Sequence, residues 1–192
     1  MNYDLILGII NIVLISTTPL VFAGIGELVT EKSGVLNLGL EGLMLVGAVS
    51  GFISLVITGN YFYSFILSIL SGVVLSSIFA FFVLRLLTNQ IATGLALTIF
   101  GIGLSAMLGK KFAGTPINGL SPYYLIIFSF ILVFLINYIL YKTKAGLIIR
   151  AVGENHHSAY ALGYDVIKTR YLTIIFGGVM SSLAGFYISV CY

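Results

Sequence analysis

The chain has 192 residues, 59% of them hydrophobic and only 8% charged, with a mean hydropathy of +1.14. A soluble globular domain carries about 25% charged residues, so this sequence cannot cover a water-facing surface, and lipid must be the solvent for most of it. Its formal charge of +3 does not mark a nucleic-acid binder, because the Lys and Arg cluster beside apolar runs, and a single cysteine, Cys191, excludes an intramolecular disulfide or a CxxC metal site.

Apolar runs of about 20 residues indicate helical spans, since barrel strands alternate over about 10. The expectation is an all-α, polytopic helical membrane protein, a single transmembrane domain over 1–192 with six spans. The opening run, MNYDLILGIINIVLI, lacks the basic leader and cleavage site of a signal peptide. It reads as span 1, over 5–28. Pro19 lies inside it and breaks one backbone hydrogen bond, so a kink is expected, and a membrane helix tolerates the proline where neighbours satisfy the freed carbonyl. Glu27, Glu31 and Lys32 read as a polar turn, and Ser33 and Gly34 lead into the next span.

Span 2 is expected over 35–57. A helix from Val35 puts Asn37 and Glu41 four residues apart on one face, near the membrane boundary. Two readings stand. The pair lines the translocation path or braces a gate, as ionisable groups in spans commonly do. Or Glu41 sits at a helix start, where its charge suits the helix dipole.

Span 3 is expected over 61–84, with Ser64, Ser68, Gly72, Ser76 and Ala80 as a small-residue stripe for close helix packing, and Arg85 closing it. Span 4 is expected over 91–108. The string GLSAMLGKK at 103–111 resembles a phosphate-binding loop only superficially: five residues separate its glycines, and Lys111 stands where Ser or Thr would hold magnesium. The chain is therefore not expected to bind ATP. The turn-rich stretch 109–122 reads as external, and span 5 as 123–141, with Asn137 satisfied by a neighbouring helix. Span 6 is expected over 171–192. Its stripe of Gly177, Ser181, Gly185 and Ser189 reads as a packing face, with a span outside the chain as one candidate partner.

Between spans 5 and 6 lies the one long polar segment, 142–170, carrying Lys142, Lys144, Arg150, Lys168 and Arg170. Basic loops stay on the cytoplasmic side. That orientation places Lys32 and Arg85 inside as well, Lys110 and Lys111 outside, and the N-terminus with Asp4 outside. Gly146, Gly153 and Gly163 read as terminators of short helices. His156 and His157, adjacent on a helix, point about 100° apart and suit no shared metal ion. No nucleophile with a positioned base is present, and the chain is not expected to be an enzyme.

Two stretches carry a resemblance: GLIIRAVGENHHSAYALGYDVIKTRYLTIIFGGVMSSLAG and, about a hundred residues earlier, TPLVFAGIGELVTEKSGVLNLGLEGLMLVGAVSGF. Together they resemble bacterial ABC-importer permeases of the branched-chain amino acid/ribose-type superfamily, in particular the nucleoside/simple-sugar branch. The second includes an N-x-G-x-E-G segment that recurs in that family. The resemblance implies a multi-pass permease subunit of the bacterial inner membrane that moves a small polar solute. It implies as partners an ABC ATP-binding subunit that uses the ATP, a second related permease and an extracytoplasmic solute-binding lipoprotein. It makes 142–170 the cytoplasmic coupling loop, with Arg150, Gly153, Glu154, Asn155, His156, Ala159, Leu162 and Gly163 as candidates for docking the ATPase. Such permeases run on through further spans. A truncated, transport-inactive membrane subunit or fragment is therefore the alternative expectation.

Overall fold

The computed structural model describes residues 3–191. Tyr192, the expected end of span 6, and the side chain of Asp4 lie outside the described residues. Among the described residues the structure is helical, without strands: α1 (Tyr3–Lys32), α2 (Leu40–Thr58), α3 (Tyr61–Ala80), a π turn (Phe81–Arg85), α4 (Gln90–Gly109), α5 (Tyr123–Lys142), α6 (Lys144–Glu154), α7 (His156–Ala161) and α8 (Val166–Cys191). Six of them, α1, α2, α3 with its π turn, α4, α5 and α8, are long and apolar enough to cross a membrane.

The helix at the centre is α8, buried from Thr173 to Tyr187 on most of its circumference, with α1, α2 and α3 packed around it. Small residues make this possible. Ser68 Oγ donates to the Ser182 carbonyl at 3.0 Å. A Cβ on Gly72 would lie 2.6 Å from the Gly178 carbonyl oxygen, so α3 and α8 meet backbone to backbone. The second stripe also finds its partners within the chain. Gly177 faces Gly26 and Thr30 of α1, and Gly185 faces Met44 of α2. A span from outside is not what this face packs against. On the far side of α2, Gly42 meets Gly101 of α4 in the same manner.

Pro19 lies inside a continuous α1. It cannot donate to the Ile15 carbonyl one turn back. The hydroxyl of Tyr187, a fully buried residue of α8, donates to that carbonyl at 2.9 Å. Asn137 departs from expectation: it is exposed on α5 and has no hydrogen-bond partner among the described residues.

The two ends of the bundle are distinct. At one end the 109–122 stretch folds against the start of α3 and the end of α8, with the Leu120 N–H donating to the Val190 carbonyl at 3.0 Å and the Tyr61 hydroxyl to the Asn118 carbonyl. At the other end stand Lys32, Arg85 and the whole 142–170 segment. This second end is called the basic end below.

Candidate functional site

The chain from Ser33 to Gly39 breaks the expected second span. Expected glutamates and Lys32 of a polar turn instead complete the last turns of α1, and Gly34, at φ +83°, ends it. Helix α2 begins only at Leu40. The reason is visible in where the backbone groups go. Leu36 N–H donates to Gln90 Oε1 at 2.9 Å, and Asn37 N–H to Glu27 Oε1 at 3.2 Å. Thr98 Oγ1 donates to the Leu38 carbonyl at 3.0 Å, and Gly39 N–H to Asn37 Oδ1 at 2.9 Å. Side chains of α1 and α4 thus take the bonds a helix would have made, which is the condition for irregular backbone within a span. Thr98 lies eight residues into α4, about 12 Å along it at 1.5 Å per residue, so this segment dips into the bundle. Gly94 admits it, since a Cβ there would lie 2.8 Å from the Leu38 nitrogen.

The break separates Asn37 from Glu41. Asn37 is 1% exposed and belongs to the re-entrant segment, not to a helix. Glu41 is exposed in the first turn of α2. The two do not share a helical face.

Between α5 and α8 the polar segment forms a platform of two short helices. Thr143 is extended and turns the chain: its Oγ1 donates to the Ile139 carbonyl at 2.6 Å and accepts from Gly146 N–H at 3.3 Å. Helix α6 is amphipathic. Ala145, Ile148, Ile149 and Val152 recur at helical spacing, and the first three roof an apolar cavity of about 350 Å³ over the ends of α1, α5 and α8. Gly146 and Gly153 lie inside α6 and do not terminate helices. Each is a point of backbone contact, Gly146 against the end of α5 and Gly153 against the Lys32 carbonyl. Only Gly163, at φ +86°, ends its helix in the left-handed conformation.

Asn155 is the joint of the platform. Its N–H closes α6 on the Ala151 carbonyl, and its Oδ1 caps α7 by accepting from His157 N–H and Ser158 N–H, both at 3.1 Å. Glu154 is the last residue of α6 and shares no part of that cap. The His156 and His157 rings, expected to diverge, lie with centroids 4.1 Å apart and tilted by 36°. His156 opens α7, so no preceding helical turn restricts its side chain.

Of the eight expected docking residues, Glu154, Asn155, His156, Leu162 and Gly163 are exposed. Ala159 is 1% exposed and faces the chain itself, so it is not available to a partner. Gly153 is half-buried on α1. Arg150 is half-buried too, with its guanidinium carbon 5.0 Å from the centre of the Tyr141 ring, a cation–π contact that ties α6 to α5. The residue missed in the sequence is Tyr160, 75% exposed beside Leu162 at 76%. The signal was there: an aromatic and an aliphatic side chain two residues apart, shortly after the polar run 154–158.

Platform and re-entrant segment meet at Ser33 and Gly34. Arg170 Nε donates to the Ser33 carbonyl at 3.1 Å, and Thr173 Oγ1 to Ser33 Oγ at 2.8 Å. Thr30 Oγ1 reaches the Thr173 carbonyl at 3.2 Å. The end of α1, the start of α8 and the end of α6 are therefore one connected body at the root of the segment that carries Asn37.

Comparison with known proteins bears on what such a body does. A family model described as branched-chain amino acid transport system / permease component matches residues 9–192. The chain is 35% identical, over 96% of its length, to a Haloferax volcanii protein named "Putative glucose ABC transporter permease protein", and covers 63% of that protein. It is 28% identical to the guanosine ABC transporter permease protein of Bacillus subtilis, over 92% of this chain and 65% of that one. It is also 28% identical to the nucleoside ABC transporter permease protein of Lactococcus lactis, over 90% of this chain and 64% of that one. The chain thus spans less than two thirds of the length of these relatives. No solved structure gives a significant match.

Proposed function

Because this chain belongs to the branched-chain amino acid transport system / permease component family, we propose that it is the membrane permease subunit of an ATP-driven importer for a small polar solute, a nucleoside or a simple sugar. Members of this family are transport subunits and not enzymes. Six apolar helices make the chain a multi-pass membrane protein. The solute class rests on the names of the three relatives and on the scarcity of charged side chains in the spans, which suits a neutral polar cargo.

The observation that carries the reading is the seating of the platform on the root of the re-entrant segment, Gly153 against Lys32 and Arg170 on Ser33. In this reading the basic end is cytoplasmic and a separate ABC ATP-binding subunit docks on the exposed tip of α7, with Tyr160 and Leu162 entering its groove. Glu154 and His156 border that contact. Closure of the ATPase on ATP moves the platform. No side chain cushions Gly153, so the motion passes into Ser33–Gly39 and shifts the helices that hold it, α1 and α4. A two-state bundle is biased in this way between inward-open and outward-open forms. A second related permease and an extracytoplasmic solute-binding lipoprotein complete the proposed assembly. Asn37, fully buried at the break, is the proposed gate residue.

The test is co-purification. Tyr160→Asp and Leu162→Asp alter exposed side chains and leave the bundle intact. The reading requires that both variants insert in normal yield and lose the ATPase subunit. Undiminished ATPase binding by both would overturn it.

A further inference from the structure

We propose that the crevice between the π turn and the start of α8 seats the phosphate of an anionic phospholipid. The crevice has a volume of about 680 Å³ and is lined by Arg85, Lys168, Asp165, Phe81, Ile167 and Tyr171 among others. Arg85 is the last residue of the π turn. A π turn carries one residue more than an α turn, so it offsets Arg85 from the register that α3 alone would give it. Lys168 stands in the first turn of α8, opposite.

Both cations are exposed, and among the described residues neither side chain has a hydrogen-bond or carboxylate partner. The one carboxylate in the lining, Asp165, already accepts the Lys168 N–H with Oδ1 at 2.9 Å. The crevice therefore holds two cations against one anion. The N-terminal end of α8 adds the partial positive charge of its dipole. In the adjoining crevice Arg170 is committed to the Ser33 carbonyl. An unpaired Arg and Lys converging on one cavity are suited to a phosphate, the Arg through its planar fork and the Lys as a point charge.

The position selects a lipid over a soluble anion. Arg85 closes the apolar run 61–85, and Lys168 lies near the start of the run 166–191. Both cations thus stand at the ends of apolar runs, where a span meets the head-group region. Phe81, Ile167 and Tyr171 are exposed apolar or aromatic side chains on the same rim, ready for an acyl chain beside the phosphate. Basic pockets between spans on the cytoplasmic side bind anionic head groups for this reason. The inference needs only membrane insertion and is independent of the proposed transport role.

The experiment is native mass spectrometry of the protein released from nanodiscs of phosphatidylglycerol or of phosphatidylcholine. The wild type is expected to retain one phosphatidylglycerol and no phosphatidylcholine. Lys168→Gln, and Arg85→Gln with Lys168→Gln, are expected to lower that occupancy at least tenfold with an unchanged melting temperature. Asp165→Asn keeps a capping side chain and is expected to hold the lipid at least as well as the wild type. Equal retention of phosphatidylglycerol by Lys168→Gln overturns the proposal, as does equal retention of phosphatidylcholine by the wild type. Displacement of the lipid by millimolar glycerol phosphate identifies a soluble-anion site instead. Loss of a co-purifying ATPase with lipid retention unchanged identifies a protein interface.

Discussion

Gly153 of α6 rests on the carbonyl of Lys32, the last residue of α1, so closely that any side chain at 153 would overlap that oxygen. Gly34 completes the contact from the other side: a Cβ there would lie 3.3 Å from the Gly153 Cα. Two backbones meet here with nothing between them, at the root of the break before α2.

This contact predicts a separation of binding from coupling. Gly153→Ala must push α6 off α1, and overpacking of this kind costs about 1–3 kcal/mol. The exposed tip of α7 is untouched. If the chain is the permease subunit proposed above, the expected outcome is normal ATPase association with solute uptake lowered about tenfold or more. Uptake assays beside co-purification check it, and a variant that transports normally removes the contact from the mechanism.

The bond from Tyr187 to Ile15 predicts a specific stability cycle. Tyr187→Phe keeps the ring and deletes the donor, leaving the part-buried Ile15 carbonyl unpaired. Such a group costs about 1–3 kcal/mol. Pro19→Ala restores an N–H to the same carbonyl, so the double variant should lose less than Tyr187→Phe alone. Denaturation of the detergent-solubilised protein measures the cycle, and strict additivity would show that the hydroxyl does not compensate the proline.

How much of this was legible follows from the range of the forces involved. The six spans were legible because each is a run of apolar residues, a property of adjacent positions. The packing stripes on α3 and α8 were legible for the same reason, at a period of four. Their partners were not, because nothing at Gly177 or Gly185 names Gly26 or Met44. The break at 35–39 was missed since its backbone is satisfied by Glu27, Gln90 and Thr98, up to 60 residues distant. In the platform, Gly163 announced a stop through its chemistry. Ala159 gave no sign of facing inward, because α7 has only six residues and too few turns to show a period.

The re-entrant segment predicts a graded series at Glu27. Its Oε1 accepts from Asn37 N–H. Glu27→Gln keeps an oxygen acceptor of the same length, and stability should stay near that of the wild type. Glu27→Leu leaves the Asn37 N–H unpaired and should cost about 1–3 kcal/mol. Thermal unfolding of the two variants separates these outcomes. Equal loss in both would mean that the charge, not the accepted bond, holds the segment.

Asn155 gives the most local prediction. Its side chain is the cap on the six-residue α7, accepting from His157 and Ser158. Removing a cap costs about 0.5–2 kcal/mol, and so short a helix has little else of its own to hold it. Asn155→Ala should raise amide exchange of residues 156–161 by about fivefold or more while leaving α1, α2 and α8 unchanged. Asn155→Asp, which supplies an equivalent acceptor, should exchange like the wild type. If α7 is the element that carries Tyr160 and Leu162 into an ATPase groove, the Ala variant must also bind that subunit more weakly, since it pays the ordering of α7 on binding. Faster exchange with undiminished binding would place the docking contact outside α7.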